Sequence, residues 1–213
     1  MIIKTFEGGF DKNLTYLIWC EKTKHAALID ASTEINPILE CIEQNDLLLS
    51  KILITHSHHD HIAFINDYLN ILPNIIVYCF NKPINMNVEY YGLDDNEIIV
   101  IGNEIITTIY TPGHFEDSVC YWDKNNKIIF TGDTIFVGRT GRTISNKSSI
   151  EHLYHSVYSK LLTLPKETVI HPGHHYGYQK TITIQENIRL FDFFSCKSLK
   201  EFEKIMEKFE KNR

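Results

Sequence analysis

Hydrophobic and polar positions along this chain fall into short blocks whose period changes in a definite order. Ile2 to Phe6, Leu14 to Cys20 and Ala26 to Asp30 are brief apolar runs, parted by Gly8-Gly9 and by the charged Glu21-Lys22-Thr23-Lys24. Such runs with such punctuation predict an antiparallel start. Ile35, Ile38, Leu39 and Ile42 then follow the spacing of one helix face, with Pro37 in a first turn where proline is tolerated. Lys51 to Thr55 is short and β-branched, a buried strand by pattern. A helix is expected from Ala63 to Ile71, ending before Pro73, and a strand from Ile75 to Phe80.

Asn81 to Asn96 is polar and carries tyrosines, which predicts a long connection and no core element. Glu97 to Ile101 and Glu104 to Tyr110 alternate across Gly102-Asn103, a tight hairpin turn. Ser118 to Trp122 and Lys127 to Thr131 form a second hairpin, and Thr168 to His171 a last buried strand. Helical spacing recurs from Ser149 to Leu164, Thr181 to Phe194 and Ser198 to Phe209. The last of these sets Leu199, Phe202, Ile205, Met206 and Phe209 against a lysine and glutamate face. The order of strands and helices predicts an α/β fold.

Candidate chemistry gathers where strands end. After Lys51 to Thr55 comes Thr55-His56-Ser57-His58-His59-Asp60-His61, three ligand-type histidines and an aspartate at fixed offsets. Loops leaving the carboxyl ends of strands are where ligands bind in α/β sheets. Imidazole and carboxylate together suit zinc, iron and similar divalent ions. His56 and His58 can grip one ion, while Asp60 and His61 face a second. Three further strand ends bring Thr111-Pro112-Gly113-His114, Gly132-Asp133 and Pro172-Gly173-His174. Asp133 can bridge two ions with its two oxygens, and His174 is preferred over His171 and His175 because it repeats the Pro-Gly-His turn of His114. Asp30 lies near the histidine loop, either bracing it or capping the helix that follows.

Composition narrows this picture. A chain of 213 residues suits one domain over 1–213. Its net charge of −6, with no basic stripe, argues against nucleic acid as a partner. No run of eighteen apolar residues predicts a membrane span, and the amino terminus lacks the pattern of a signal peptide. Five scattered cysteines without a Cys-x-x-Cys pair predict reduced thiols and a cytoplasmic protein.

Taken in order, Thr-His-x-His-x-Asp-His, Thr-Pro-Gly-His, Gly-Asp and Pro-Gly-His resemble the metallo-β-lactamase-fold hydrolases, and among them the glyoxalase II group, which cleaves S-acylglutathione thioesters. The resemblance implies a four-layered αββα sandwich. It implies one metal on His56, His58 and His114, a second on Asp60, His61 and His174, and Asp133 between them. Two divalent ions are expected, zinc first, with iron or manganese as alternatives. The implied reaction is hydrolysis of a small-molecule thioester by hydroxide generated at that dinuclear site, with Asp60 orienting the nucleophile. Arg139, Arg142, Tyr176 and Lys180 are the expected substrate contacts. An alternative of the same fold is a persulfide dioxygenase with a single iron on His56, His114 and Asp133. The chain departs from the pattern after His114, where Phe115-Glu116-Asp117 replaces a small residue and glycine. Its 176–213 stretch is also shorter than the basic helical domain of glyoxalase II.

Overall fold

In a computed structural model that describes residues 1–211, strand β2 (Asn13–Trp19) is buried at all seven positions, which a half-exposed strand never is. The reason is that both of its faces are covered. Leu14, Tyr16 and Ile18 point one way into a cluster between two sheets, while Leu17 and Trp19 point the other way against helices.

The first sheet runs in chain order through β1 (Ile2–Gly8), β2, β3 (His25–Ile29), β4 (Leu48–Leu53), β5 (Ile76–Phe80) and β6 (Tyr91–Leu93). Its first three strands are antiparallel and the rest parallel, as the hairpin punctuation and the intervening helices require. The second sheet holds β7 (Ile98–Ile101), β8 (Glu104–Tyr110), β9 (Val119–Asp123), β10 (Ile128–Gly132), β11 (Val169–Pro172) and β12 (Ile182–Thr183).

Three apolar clusters define the layers. The first sheet's outer face packs on α1 (Asn36–Gln44) and α2 (Ile65–Ile71) through Ile38, Ile65 and Tyr68. Leu14, Tyr16, Ile29 and Leu53 meet Ile99, Ile106, Tyr121 and Phe130 between the sheets. The second sheet's outer face packs on α3 (Ile150–His155), α4 (Ile184–Leu190) and α5 (Leu199–Lys211) through Leu153, Ile184, Phe202 and Met206. This is the expected αββα sandwich.

Three details correct the sequence reading. The 81–96 segment contains β6, whose Leu93 is fully buried; three residues are too few to raise a pattern above the polar background. The helix expected over 149–164 changes its hydrogen bonding after α3, passing through a π-helical turn at Ser156–Lys160 and a 3-10 turn at Leu161–Thr163. Its apolar spacing survives, because Leu153, Val157 and Leu161 all reach the core. The segment from Thr181 opens as β12 before α4, which Thr183 and Glu186 start with a capping box.

Candidate metal centre

The loop after β4 leaves the strand into a 3-10 turn at His59–His61, which swings His56, His58, Asp60 and His61 toward one point. Asp30 holds this loop. Its backbone takes a positive φ of 59°, and its carboxylate accepts the Thr55 N–H and the Thr55 hydroxyl, both at 2.8 Å. Its Oδ2 also lies 2.8 Å from His61 Nδ1. Of the two roles left open for Asp30 the bracing one is seen, since α1 begins at Asn36 with no side-chain cap.

From the second sheet, His114 follows β8, Asp133 follows β10 and His174 follows β11. Gly132 has φ +47°, a left-handed turn that glycine adopts without strain and that turns Asp133 inward. Gly173 lets the backbone pass close: a Cβ there would lie 2.5 Å from Asp133 Oδ1 and 2.6 Å from His61 Cε1.

Three ligand sets result: His56, His58 and His114; His56, His61 and Asp133; Asp60, His61 and His174. Within each, the donor atoms lie within 4.8 Å of one another. His56 Nε2 is 2.9 Å from His58 Nδ1, and His114 Nε2 is 3.0 Å from the same atom. His174 Nε2 is 3.2 Å from Asp60 Oδ2, 3.3 Å from His61 Nε2 and 3.4 Å from Asp133 Oδ2. Two donors each about 2.0–2.1 Å from one ion at a tetrahedral angle stand about 3.3 Å apart, so this spacing fits coordination to a shared centre. Asp133 joins the sets, with Oδ2 3.6 Å from His114 Nε2 and Oδ1 3.3 Å from His61 Nε2.

The far ring nitrogens support the same reading. His61 Nδ1 faces Asp30, His114 Nδ1 the Arg142 carbonyl at 2.9 Å, His174 Nδ1 the Asp11 carbonyl at 2.9 Å, and His56 Nδ1 the Thr55 hydroxyl at 3.2 Å. An imidazole that gives its far N–H to oxygen presents a lone pair at the other nitrogen, the form a metal needs. Asp133 Oδ1 is buried with no hydrogen-bond partner, an atom a cation would satisfy.

Electrostatics divides the cage. Burial lowers the pKa of His56 and His114, and burial with His114 beside it brings His58 down to about 4. At His174 burial works downward too, but Asp133 and Asp60 outweigh it and lift the group to about 9. His61 is likewise raised against its burial by Asp133 and Asp30. Burial would raise the carboxyl of Asp133; His174 and His61 draw it well below the usual range.

The family model of the metallo-beta-lactamase superfamily matches residues 8–174 of this chain. The chain belongs to that superfamily. It is 32% identical, over 89% of its length and 76% of the relative's, to a probable hydroxyacylglutathione hydrolase, glo2, of Schizosaccharomyces pombe. A probable polyketide biosynthesis zinc-dependent hydrolase, BaeB, of Bacillus velezensis is 31% identical over 82% of this chain and 78% of its own. The crystal structure of ETHE1 from Myxococcus xanthus superposes with a TM-score of 0.88 and 30% identity, covering 98% of this chain and 91% of that one. The chain spans 63 to 76% of the length of the curated hydroxyacylglutathione hydrolases that it matches. The names of the two hydrolases agree with the glyoxalase II-like hydrolase read from the four motifs, while the ETHE1 neighbour gives weight to the alternative of the same fold.

Among the expected substrate contacts, Arg139, Arg142 and Tyr176 line a small cleft with His114, Asp133, Phe136 and Phe209. The Tyr176 ring stacks on His174 at 4.7 Å, and the Arg139 guanidinium lies 4.1 Å above Tyr176. Lys180 is not among the lining residues and pairs with Glu7 at 2.9 Å. His171 packs edge-on against Tyr16 between the sheets, and His175 faces Glu7 at 3.2 Å, so neither joins the cage.

Two residues near the cage escaped the sequence reading. Asn13 Nδ2 donates to Asp60 Oδ2 at 2.8 Å, and Asp117 accepts from Ser57 between the first two histidines. Asn13 carries no local signal. Asp117 does stand where the family pattern is broken.

Proposed function

We propose that the protein is a hydrolase holding two divalent ions, zinc before iron or manganese, that cleaves small-molecule thioesters of the S-acylglutathione kind. The observation that carries this reading is the cage, seven ligand-type side chains in overlapping sets joined by one carboxylate, Asp133. Zinc sites of purely structural type are closed by four ligands and favour cysteine, and this cage contains none. His56, His58 and His114 would hold one ion, Asp60, His61 and His174 the other, with Asp133 shared. Bound there, the ions would polarise a carbonyl and lower the pKa of water from about 15.7 toward 7.

The chain's own groups supply orientation. Asp60 has 29% of its side chain exposed, more than Asp133 at 11% or His174 at 3%. With Oδ2 held by Asn13, it can direct an attacking water. Tyr176, fixed by a 2.5 Å bond to Asp11 Oδ2 and by stacking on His174, forms one wall of the cleft. Arg139 and Arg142, both on the cleft wall, would meet substrate carboxylates. A thiol of pKa about 8.5 departs as thiolate without a dedicated acid. Among the described residues, the non-ligand lining of the cleft includes no carboxylic acid, which fits a thioester better than an amide.

Steady-state assays of zinc-loaded protein with S-lactoylglutathione and simpler acyl thioesters test the reading. Turnover with two ions per chain is expected. No turnover of any thioester defeats it, and one iron with oxygen consumption assigns the persulfide dioxygenase chemistry in its place.

A further inference from the structure

We propose that Asp117 is a positioning residue that sets the His56, His58 and His114 ligands from the loop carrying His114 itself; this rests on the metal-centre reading above.

Asp117 lies three residues past His114, in the Phe115-Glu116-Asp117 stretch that departs from the family pattern, and it is 2% exposed. Its Oδ1 accepts the Ser57 N–H at 3.2 Å, and its Oδ2 accepts the Ser57 hydroxyl and the Ile84 N–H, the latter at 2.9 Å. Ser57 is the single residue between His56 and His58. Its hydroxyl in turn accepts the Asn85 N–H at 3.0 Å, and its carbonyl accepts Asn85 Nδ2 at 3.0 Å. Phe115, from the same loop, packs on the His58 ring at 4.1 Å. The eight residues from Thr111 to Ser118 therefore supply one ligand of the set directly and fix the other two through Ser57 and Phe115. The 81–96 connection closes the clamp from the far side.

Charge gives the second argument. Every described hydrogen-bond donor to Asp117 is a neutral N–H or O–H, and none of the described ion pairs includes it. A buried carboxylate served only by neutral donors is expensive unless a cation is near. Three neutral imidazoles leave the shared Asp133 as the one anionic partner of the ion they would hold, and Asp117 is bonded to Ser57, the residue between two of them. The other set has Asp60 as a ligand-type residue beside the shared Asp133, and a buried carboxylate of its own, Asp30, behind His61.

The test is competitive zinc titration of chelator-stripped wild type, Asp117→Asn, Asp117→Ala and Ser57→Ala, each held below its own melting temperature. The expected result is a loss of about 10–100-fold in affinity for one ion in both Asp117 variants, the scale of a lost partner behind a ligand, with the second ion unmoved. Ser57→Ala loses less, because the Ser57 and Ile84 main chains still donate to Asp117. Repeated in His58→Ala, where the set is already broken, Asp117→Asn costs little more. Unchanged zinc affinities alongside a lower melting temperature overturn the inference and leave Asp117 a purely structural group. Should Asp117→Ala not fold, Asp117→Asn and Ser57→Ala decide the matter. Wild type that binds no zinc overturns this inference and the functional reading together, whereas two normal sites in Asp117→Asn overturn this inference alone.

Discussion

Four of the seven cage residues come from a single loop of the first sheet, and the other three come one each from separate strand ends of the second. The two sources are held differently. A loop that must aim four side chains at once is pinned from outside, by Asp30 at its start, by Asp117 through Ser57 at its middle, and by Asn13 at its end. Each lone residue of the second sheet is aimed by the turn that precedes it, through Gly113, Gly132 and Gly173. The dense loop is thus specified by side chains distant in sequence, whereas the dispersed residues rely on a local backbone turn, helped at His114 and His174 by one distant main-chain carbonyl each.

The sharpest way to break this comparison is at the residue both halves share. Asp133→Asn should remove both ions' common carboxylate and lower activity more than about 100-fold, beyond what losing a partner behind a ligand costs. Metal analysis beside the assay should show the loss of metal. Next comes Asp30→Ala, which strips His61 of its partner and leaves the buried Thr55 N–H unpaired. An affinity loss of about 10–100-fold at the Asp60, His61 and His174 set is expected. A destabilisation of about 1–3 kcal/mol should accompany it in denaturant unfolding of the metal-free protein.

Proton linkage separates the two sets in another way. In the metal-free protein His58 has its pKa lowered from 6.5 to about 4, so its contribution to stability is present above pH 6.5 and is lost as pH falls toward 4. His174 is raised from 6.5 to about 9, so its contribution is present below pH 6.5 and is lost as pH rises through 9. Melting temperatures of chelated protein across that range should fall on both sides of about pH 6.5, with His58→Ala flattening the acid limb and His174→Ala the alkaline one. The smallest effect is expected at the rim. Lys180→Ala breaks an exposed pair with Glu7 and should cost under about 1 kcal/mol. The KM for a carboxylate-bearing thioester should rise more in Arg142→Ala than in Lys180→Ala.

The same contrast explains what could be read from the sequence. The His-x-His-x-Asp-His cluster is dense enough to see directly, and the dispersed ligands show because Pro-Gly and Gly leave a mark before each one. The strands and helices that carry them follow from apolar period. What distant contacts decide was not legible. Nothing local distinguishes Asn13, whose partner Asp60 is 47 positions away, and the role of Asp30 stayed open until His61 and Thr55 were found against it. Strand β6 is too short to carry a period, and it forms because β5 offers it an edge.

The most direct measurement is a crystal structure of zinc-loaded protein with anomalous diffraction recorded at the zinc edge. Two peaks per chain are expected. One should lie about 2.0–2.2 Å from donor atoms of His56, His58 and His114, the other at that distance from Asp60, His61 and His174, with Asp133 touching both. A single peak, or peaks held by other residues, would contradict the dinuclear centre on which the proposed hydrolase rests.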